Sequence, residues 1–140
     1  MRFAVYKHKL VYNENRLIQR NIIVLKDGDE IVGWTDFHRY VRGGGSRSIA
    51  SNETVRFHHV VKLLNYVFFD KYHICKLTDI KFNMVKNFLN DYGLCRLSDD
   101  GETTHRSKGT VETCISNVMK FLEAMIRENS SCKMKSSELY

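Results

Sequence analysis

Arg106, Ser107, Lys108 and Thr110 bring two cations and two hydroxyls together in one short stretch of the chain, and the chemistry open to such a group is the holding of a phosphate. Just after it, apolar residues recur every three or four positions, at Val111, Ile115, Val118, Leu122 and Met125, so the cluster marks the start of a helix. The first backbone N–H groups of a helix are unpaired and carry partial positive charge, which adds to the attraction for an anion. Ser107 has a second explanation as the cap of that helix, and the two roles are compatible.

A second group follows helical spacing earlier in the chain. Arg56, His59, Lys62 and Tyr66 form one stripe whose donors are long enough to reach phosphates across a groove, and the competing explanation is the wet face of an amphipathic helix. In the middle of the last helix, Asn117 and Lys120 are candidates for base readout. The full set of candidate polyanion contacts is therefore Arg56, Lys62, Arg106, Ser107, Lys108, Thr110, Asn117 and Lys120. Acid–base catalysis by His58 and His59 finds no nucleophile or carboxylate partner marked nearby. Cys75, Cys95, Cys114 and Cys132 contain no C-x-x-C pair, so they read as reduced thiols. His73 with Cys75, or Cys95 with His105, lacks the paired ligands of a closed zinc site, and no metal or cofactor is expected. Arg42-Gly-Gly-Gly-Ser-Arg47 is glycine-rich, but no Gly-Lys-Ser/Thr follows at Walker spacing. It reads as a linker, with a basic phosphate-binding loop as the alternative.

These residues need elements to position them. Residues 1–34 read as strands: Phe3 and Val5 alternate with Ala4 and Tyr6, and Ile22 to Leu25 and Ile31 to Trp34 flank the turn Asp27-Gly28-Asp29. Thr35 or Asp36 caps a short helix with Phe37, Tyr40 and Val41 on one face, and Trp34 is a candidate to dock this segment on the rest. From Ser51 the period becomes helical. One helix runs to about Asp70, with Phe57, Val60, Val61, Leu64, Val67 and Phe68 inward and His58, His59, Lys62, Asn65 and Tyr66 outward. A second runs from Phe82 to Tyr92, with Val85, Phe88, Leu89 and Tyr92 buried and Gly93 as its left-handed stop, and a third from Ser107 to Glu128. The expected organisation is a β-rich segment over 1–45 able to move through its glycines, a helical domain over 51–128, and a flexible Ser- and Lys-rich tail over 129–140.

Particular residues in this order resemble a known family. Thr54-Val55-Arg56-Phe57 through Leu63-Leu64-Asn65-Tyr66-Val67, then Leu77-x-x-Ile80 before Val85-x-x-Phe88-Leu89, then Ser107-Lys108-Gly109-Thr110-Val111 leading to Phe121-Leu122, resemble the SAM-like core-binding domain of tyrosine recombinases and phage integrases. The resemblance covers residues 51–128. It implies a mainly α fold, a SAM-like bundle preceded by a small three-strand segment, that clamps double-stranded DNA at a recombination site, with other protomers of a recombinase assembly as further partners. The family's catalytic Arg, Lys, His-x-x-Arg and Tyr belong to a C-terminal domain. No histidine here is followed by Arg three residues on and Tyr140 is the last residue, so this chain is expected to be the non-catalytic front part of a longer protein. A SAM-like protein-interaction module is the alternative.

Composition bounds both readings. A chain of 140 residues buries one real core. The net charge of +6 permits a polyanionic partner, yet residues 51–128 carry 11 Lys and Arg against 10 Asp and Glu, so any DNA-binding face there depends on arrangement. The longest apolar runs, Ile22 to Leu25 and Tyr66 to Phe69, fall far short of the roughly 20 residues of a membrane span, and the first residues lack a signal peptide's apolar stretch. A cytoplasmic location without membrane partners is expected.

Overall fold

The computed structural model describes residues 1–13, 16–42, 50–98, 100–101 and 105–139, of which 10–13, 16–19 and 50–52 by their backbone alone. The alternating N-terminal pattern forms an antiparallel hairpin of β1 (Arg2–Asn13) and β2 (Arg16–Asp27), and β3 (Glu30–Trp34) returns along β2 to give the order β1-β2-β3. The turn between β2 and β3 lies where Asp27-Gly28-Asp29 placed it. Gly28 has φ +62°, the left-handed value that a two-residue hairpin turn asks of a leading glycine. The register decides which residues share a face. Phe3 is opposite Leu25 and Val5 opposite Ile23, and these four pack into the core; Ala4, Val24 and Trp34 lie in a row on the other face.

The helical part is ordered as α1 (His38–Arg42), α2 (Ala50–Asn65) with a π-helical turn continuing it over Tyr66–Asp70, a 3₁₀ turn at Leu77–Asp79, α3 (Phe82–Gly93) and α4 (Lys108–Glu128). The chain is thus mainly α with a small three-stranded antiparallel sheet. α2 is the central element, because the sheet, α1 and α4 all pack on it. Phe57, Val60, Leu63, Leu64 and Val67 are wholly buried along it. Val85 and Phe88 of α3 and Val118, Leu122 and Met125 of α4 close the same core. Val111 and Ile115, read as core from their period, are half-buried and stand outside that cluster, whereas Cys114 between them is fully buried.

Three expectations are corrected by this packing. The N-terminal segment does not have a core of its own: Phe3 and Ile23 of the sheet and Tyr40 and Val41 of α1 belong to one continuous core with the helices. Gly43 to Gly45 and Arg47, the expected linker, lie outside the described residues. Trp34 does not dock the sheet, since the register turns it to the opposite face, where it is 62% exposed. Finally, residues 129–139 are packed. Cys132, Met134 and Leu139 are buried, the Lys133 N–H donates to the Thr78 carbonyl at 3.1 Å, and Ser136–Leu139 forms a 3₁₀ turn. Three spaced apolar side chains outweigh the polar composition of that stretch.

Helix ends follow the local chemistry. Ser107 is extended and its hydroxyl accepts from the Thr110 N–H at 3.3 Å, so it caps α4. α3 runs through Gly93, and the left-handed residue is Cys95 at φ 54°. The Cys95 N–H donates to the Tyr92 carbonyl and the Arg96 N–H to the Asp91 carbonyl, a Schellman closure displaced from the glycine.

Asn65 ties the two layers together. Its Oδ1 accepts from the Phe3 N–H at 2.7 Å and its Nδ2 donates to the Phe3 carbonyl at 3.1 Å, so a side-chain amide pairs the free edge of β1 as a neighbouring strand would. Asn65→Ala leaves both Phe3 backbone groups buried without partners and is expected to cost about 1 to 3 kcal/mol, read by urea denaturation. An unchanged midpoint would show that water replaces the amide at no loss.

Candidate nucleic-acid interface

α2 and α4 pack with a depression of about 320 Å³ between them, lined by Val55 and Arg56 of α2 and Thr113, Asn117 and Lys120 of α4. The α4 residues recur at the four- and three-residue steps that keep one stripe facing one side. Arg56 and Lys120 supply cations, Thr113 a hydroxyl, and no carboxylate is among the lining side chains of the described residues. The exposed Thr113 hydroxyl donates to the Gly109 carbonyl at 2.9 Å, which leaves its oxygen able to accept. Three of the eight expected DNA-contacting residues, Arg56, Asn117 and Lys120, therefore meet in one place. Thr113 and Val55 were missed, and the signal that finds them is position: they lie beside Arg56 and Lys120 once the two helices are set against each other.

The remaining expected residues divide. Ser107 and Thr110 are exposed at the start of α4, their hydroxyls 2.8 Å apart, and Lys108 is exposed and 3.9 Å from Glu112. Lys62 is half-buried, close enough to His59 and Asp100 for its charge to act on both. Arg106 is only partly exposed and is held by internal partners. Its guanidinium holds both oxygens of Asp100, at 2.6 and 3.3 Å, donates to the Tyr92 carbonyl and lies 3.9 Å above the Tyr92 ring. Four hydrogen bonds, three from Nη1 and one from Nη2, tie the guanidinium to Tyr92, Cys95 and Asp100, which favours a structural role for Arg106 over that of a phosphate ligand. The Arg106 hydrogen bonds hold the Asp100 carboxyl below its usual range, and Asp100 in turn raises the guanidinium.

Asn117 is likewise corrected as a base-reading side chain. It is 8% exposed, and its Nδ2 donates to His59 Nδ1 at 2.9 Å. His59, expected on the wet stripe, is buried, with Nε2 3.2 Å from the Tyr92 hydroxyl. Tyr66, expected beside it, is buried too and donates to Asp91 at 2.7 Å. His59 and Asn117 thus form the floor of the groove, and Lys120 and Arg56 its accessible part.

This floor is sensitive to protonation. Asn117 donates to Nδ1, so the ring is held as the neutral Nε2–H form, and a second proton would set two donors against each other. Burial, with Lys62, His58 and Arg106 nearby, lowers the His59 pKa below 6.5. A base whose folded pKa is depressed contributes its full stability above the unfolded value and loses it as pH falls through 6.5 toward the folded one. His38, also lowered by burial and Arg42, adds to the same window. The unfolding free energy is expected to be smaller at about pH 5 than at about pH 7.5, and His59→Gln to shrink that difference. An NMR titration placing the His59 ring at or above 6.5 would refute this.

Among the described residues no three His, Cys, Asp or Glu side chains gather to hold a metal, and no helix is long and apolar enough to cross a membrane. Cys114, buried in α4, has its thiol pushed up to about 12, which leaves it an inert part of the core. No family model matches the chain, and no curated protein or solved structure matches it.

Proposed function

We propose that the chain is a duplex-DNA-binding module, the SAM-like core-binding domain of a site-specific recombinase of the tyrosine recombinase and integrase family. It acts in the cytoplasm and holds DNA for strand exchange by a catalytic domain outside this sequence. The observation that carries this reading is the meeting of Arg56 and Lys120 across the α2–α4 groove, with no carboxylate in its lining among the described residues. Two cations on neighbouring helices suit successive phosphates of one backbone, with Thr113 between them as a further hydroxyl contact. Thr110, one turn earlier on α4, extends the stripe toward Lys108 and the capped helix start. The order of long helix, short turn, helix, polar loop and long helix implied by the resemblance runs through α2, α3 and α4 and supports the same reading.

Fluorescence anisotropy with a labelled duplex at low ionic strength tests it. Binding is expected to be micromolar or weaker, because so few phosphates are neutralised. Arg56→Ala and Lys120→Ala should each weaken it by a similar factor for every duplex sequence, since phosphate contacts position without reading bases. Supercoiled plasmid should remain uncut. Variants that bind as the parent does would refute the assignment. Val55, 45% exposed at the groove, and the near-neutral charge of the helical half favour a second reading, a protein-interaction module whose partner binding would be insensitive to salt.

A further inference from the structure

The outward face of the sheet carries a row of rings. Tyr6 and Trp34 meet edge to face at 5.7 Å with planes at 89°, and His8 continues the row 6.4 Å beyond Tyr6. Trp34 is 62% exposed and Tyr6 39%, while Val24 beneath them is fully buried although it stands outside the main core. The pair is therefore held in place from below and open above. Arg20, exposed, is the cross-strand partner of His8, and Lys26 closes the other end of β2. No Asp or Glu occupies the face over residues 2–8, 20–26 or 32–34, and residues 1–26 hold six Lys and Arg against one carboxylate, Glu14. Among the described residues, Arg20 and Lys26 of this face make no ion pair, whereas Arg2 is held by Asp70 and Ser98, and Lys7 and Lys9 fall on the opposite face of β1.

We propose that this face binds single-stranded nucleic acid, with bases stacked on Trp34 and Tyr6 and the backbone running past Arg20 and Lys26. An aromatic ring offered to solvent on a basic, carboxylate-free sheet matches a polymer that has both π-faces and regular negative charge. A duplex hides its base faces inside the stack, so it could use the cations but not the rings. The ring spacings of 5.7 and 6.4 Å exceed the ~3.4 Å rise of a stacked strand, and this suits bases splayed along an extended chain. The surface is built from β1, β2 and β3 and shares no residue with the α2–α4 groove, so the inference stands independently of duplex binding there.

Trp34 is the sole tryptophan, so its emission reports the site directly. Titrating the full chain with an oligothymidylate of about 12 nucleotides should quench that emission saturably, with an affinity that falls as salt rises, while a duplex of the same length should leave it unchanged. With a fluorescein-labelled oligothymidylate, Trp34→Ala should weaken binding about tenfold or more and Arg20→Ala/Lys26→Ala should flatten the salt dependence. Arg56→Ala/Lys120→Ala should leave single-strand binding intact. Trp34→Phe keeps a stacking ring and should retain most of the affinity, which separates loss of the platform from loss of the fold. Emission unmoved at saturating oligonucleotide, equal quenching by duplex, or full affinity in a folded Trp34→Ala/Tyr6→Ala variant would overturn the proposal.

Discussion

Arg106→Ala is expected to remove about 3 to 5 kcal/mol of folding stability, a large share of the roughly 5 to 15 kcal/mol that a domain of this kind possesses. The reason lies with the partner left behind. The Asp100 side chain is 7% exposed and held by two Arg106 nitrogens, so deleting the guanidinium strands a carboxylate where water reaches it poorly. The Tyr92 carbonyl and the face of the Tyr92 ring lose their partner in the same step. The loop between α3 and α4 would then keep the Ser98 contacts to Arg2 and Asp70 but lose its buried ion pair. The pair also sets an acid limb. Asp100 has its pKa lowered by Arg106, so its contribution is complete above the ordinary carboxylate range and disappears as pH falls through the depressed folded value. Urea denaturation at neutral pH is the check. An Arg106→Ala protein as stable as the parent would show that Asp100 finds water or another donor, and would return Arg106 to the candidates for DNA contact.

Phe3→Ala should be comparably severe, about 3 to 5 kcal/mol. Phe3 is 4% exposed and touches three rings at once: Phe37 at 5.8 Å between centroids, Phe68 at 5.1 Å and Phe69 at 5.3 Å. These come from the segment before α1 and from the π-helical turn after α2, so one side chain joins the sheet to the helices. Its backbone is held by Asn65 besides. Because the core is shared, the parent should unfold in one transition, with Trp34 emission from the sheet and far-ultraviolet dichroism from the helices coinciding. Arg42, paired with Glu53 at 3.0 Å and donating to the Asn21 carbonyl, should resist trypsin in the parent and become cleavable in the variant. Two separate transitions in the parent, or no loss of stability in the variant, would mean that the sheet only rests on the bundle.

The elements themselves were legible in the sequence. Gly28 announced its hairpin, Ser107 its helix, and the three- and four-residue spacing of apolar positions placed α3 and α4 within a residue or two, while the helix expected to run to about Asp70 is α-helical to Asn65 and π-helical beyond it. The polar interior was not legible, because a helix wheel assumes one buried side and α2 is covered by the sheet on one side and α4 on another. His59, Asn65 and Tyr66 consequently looked wet while being buried against specific partners. Arg106 misled for a related reason. Its partner Asp100 lies in an irregular loop, where no period reveals that the two will meet. Trp34 was legible as an unusual residue, but its direction depended on a register that turns Phe3 in and Trp34 out. For the candidate site, the residue types at Arg56 and Lys120 were visible, and their meeting was not.

The most direct test of the account is the salt dependence of duplex binding by the parent and by Arg56→Ala/Lys120→Ala, measured as log Kobs against log salt concentration. Each phosphate contact releases condensed counterions on binding, so removing two of them should make the slope shallower by about two units and lower the affinity equally for unrelated sequences. Binding by the parent that does not change with salt, or a double variant with the parent's slope and affinity, would contradict the assignment of the α2–α4 groove to DNA.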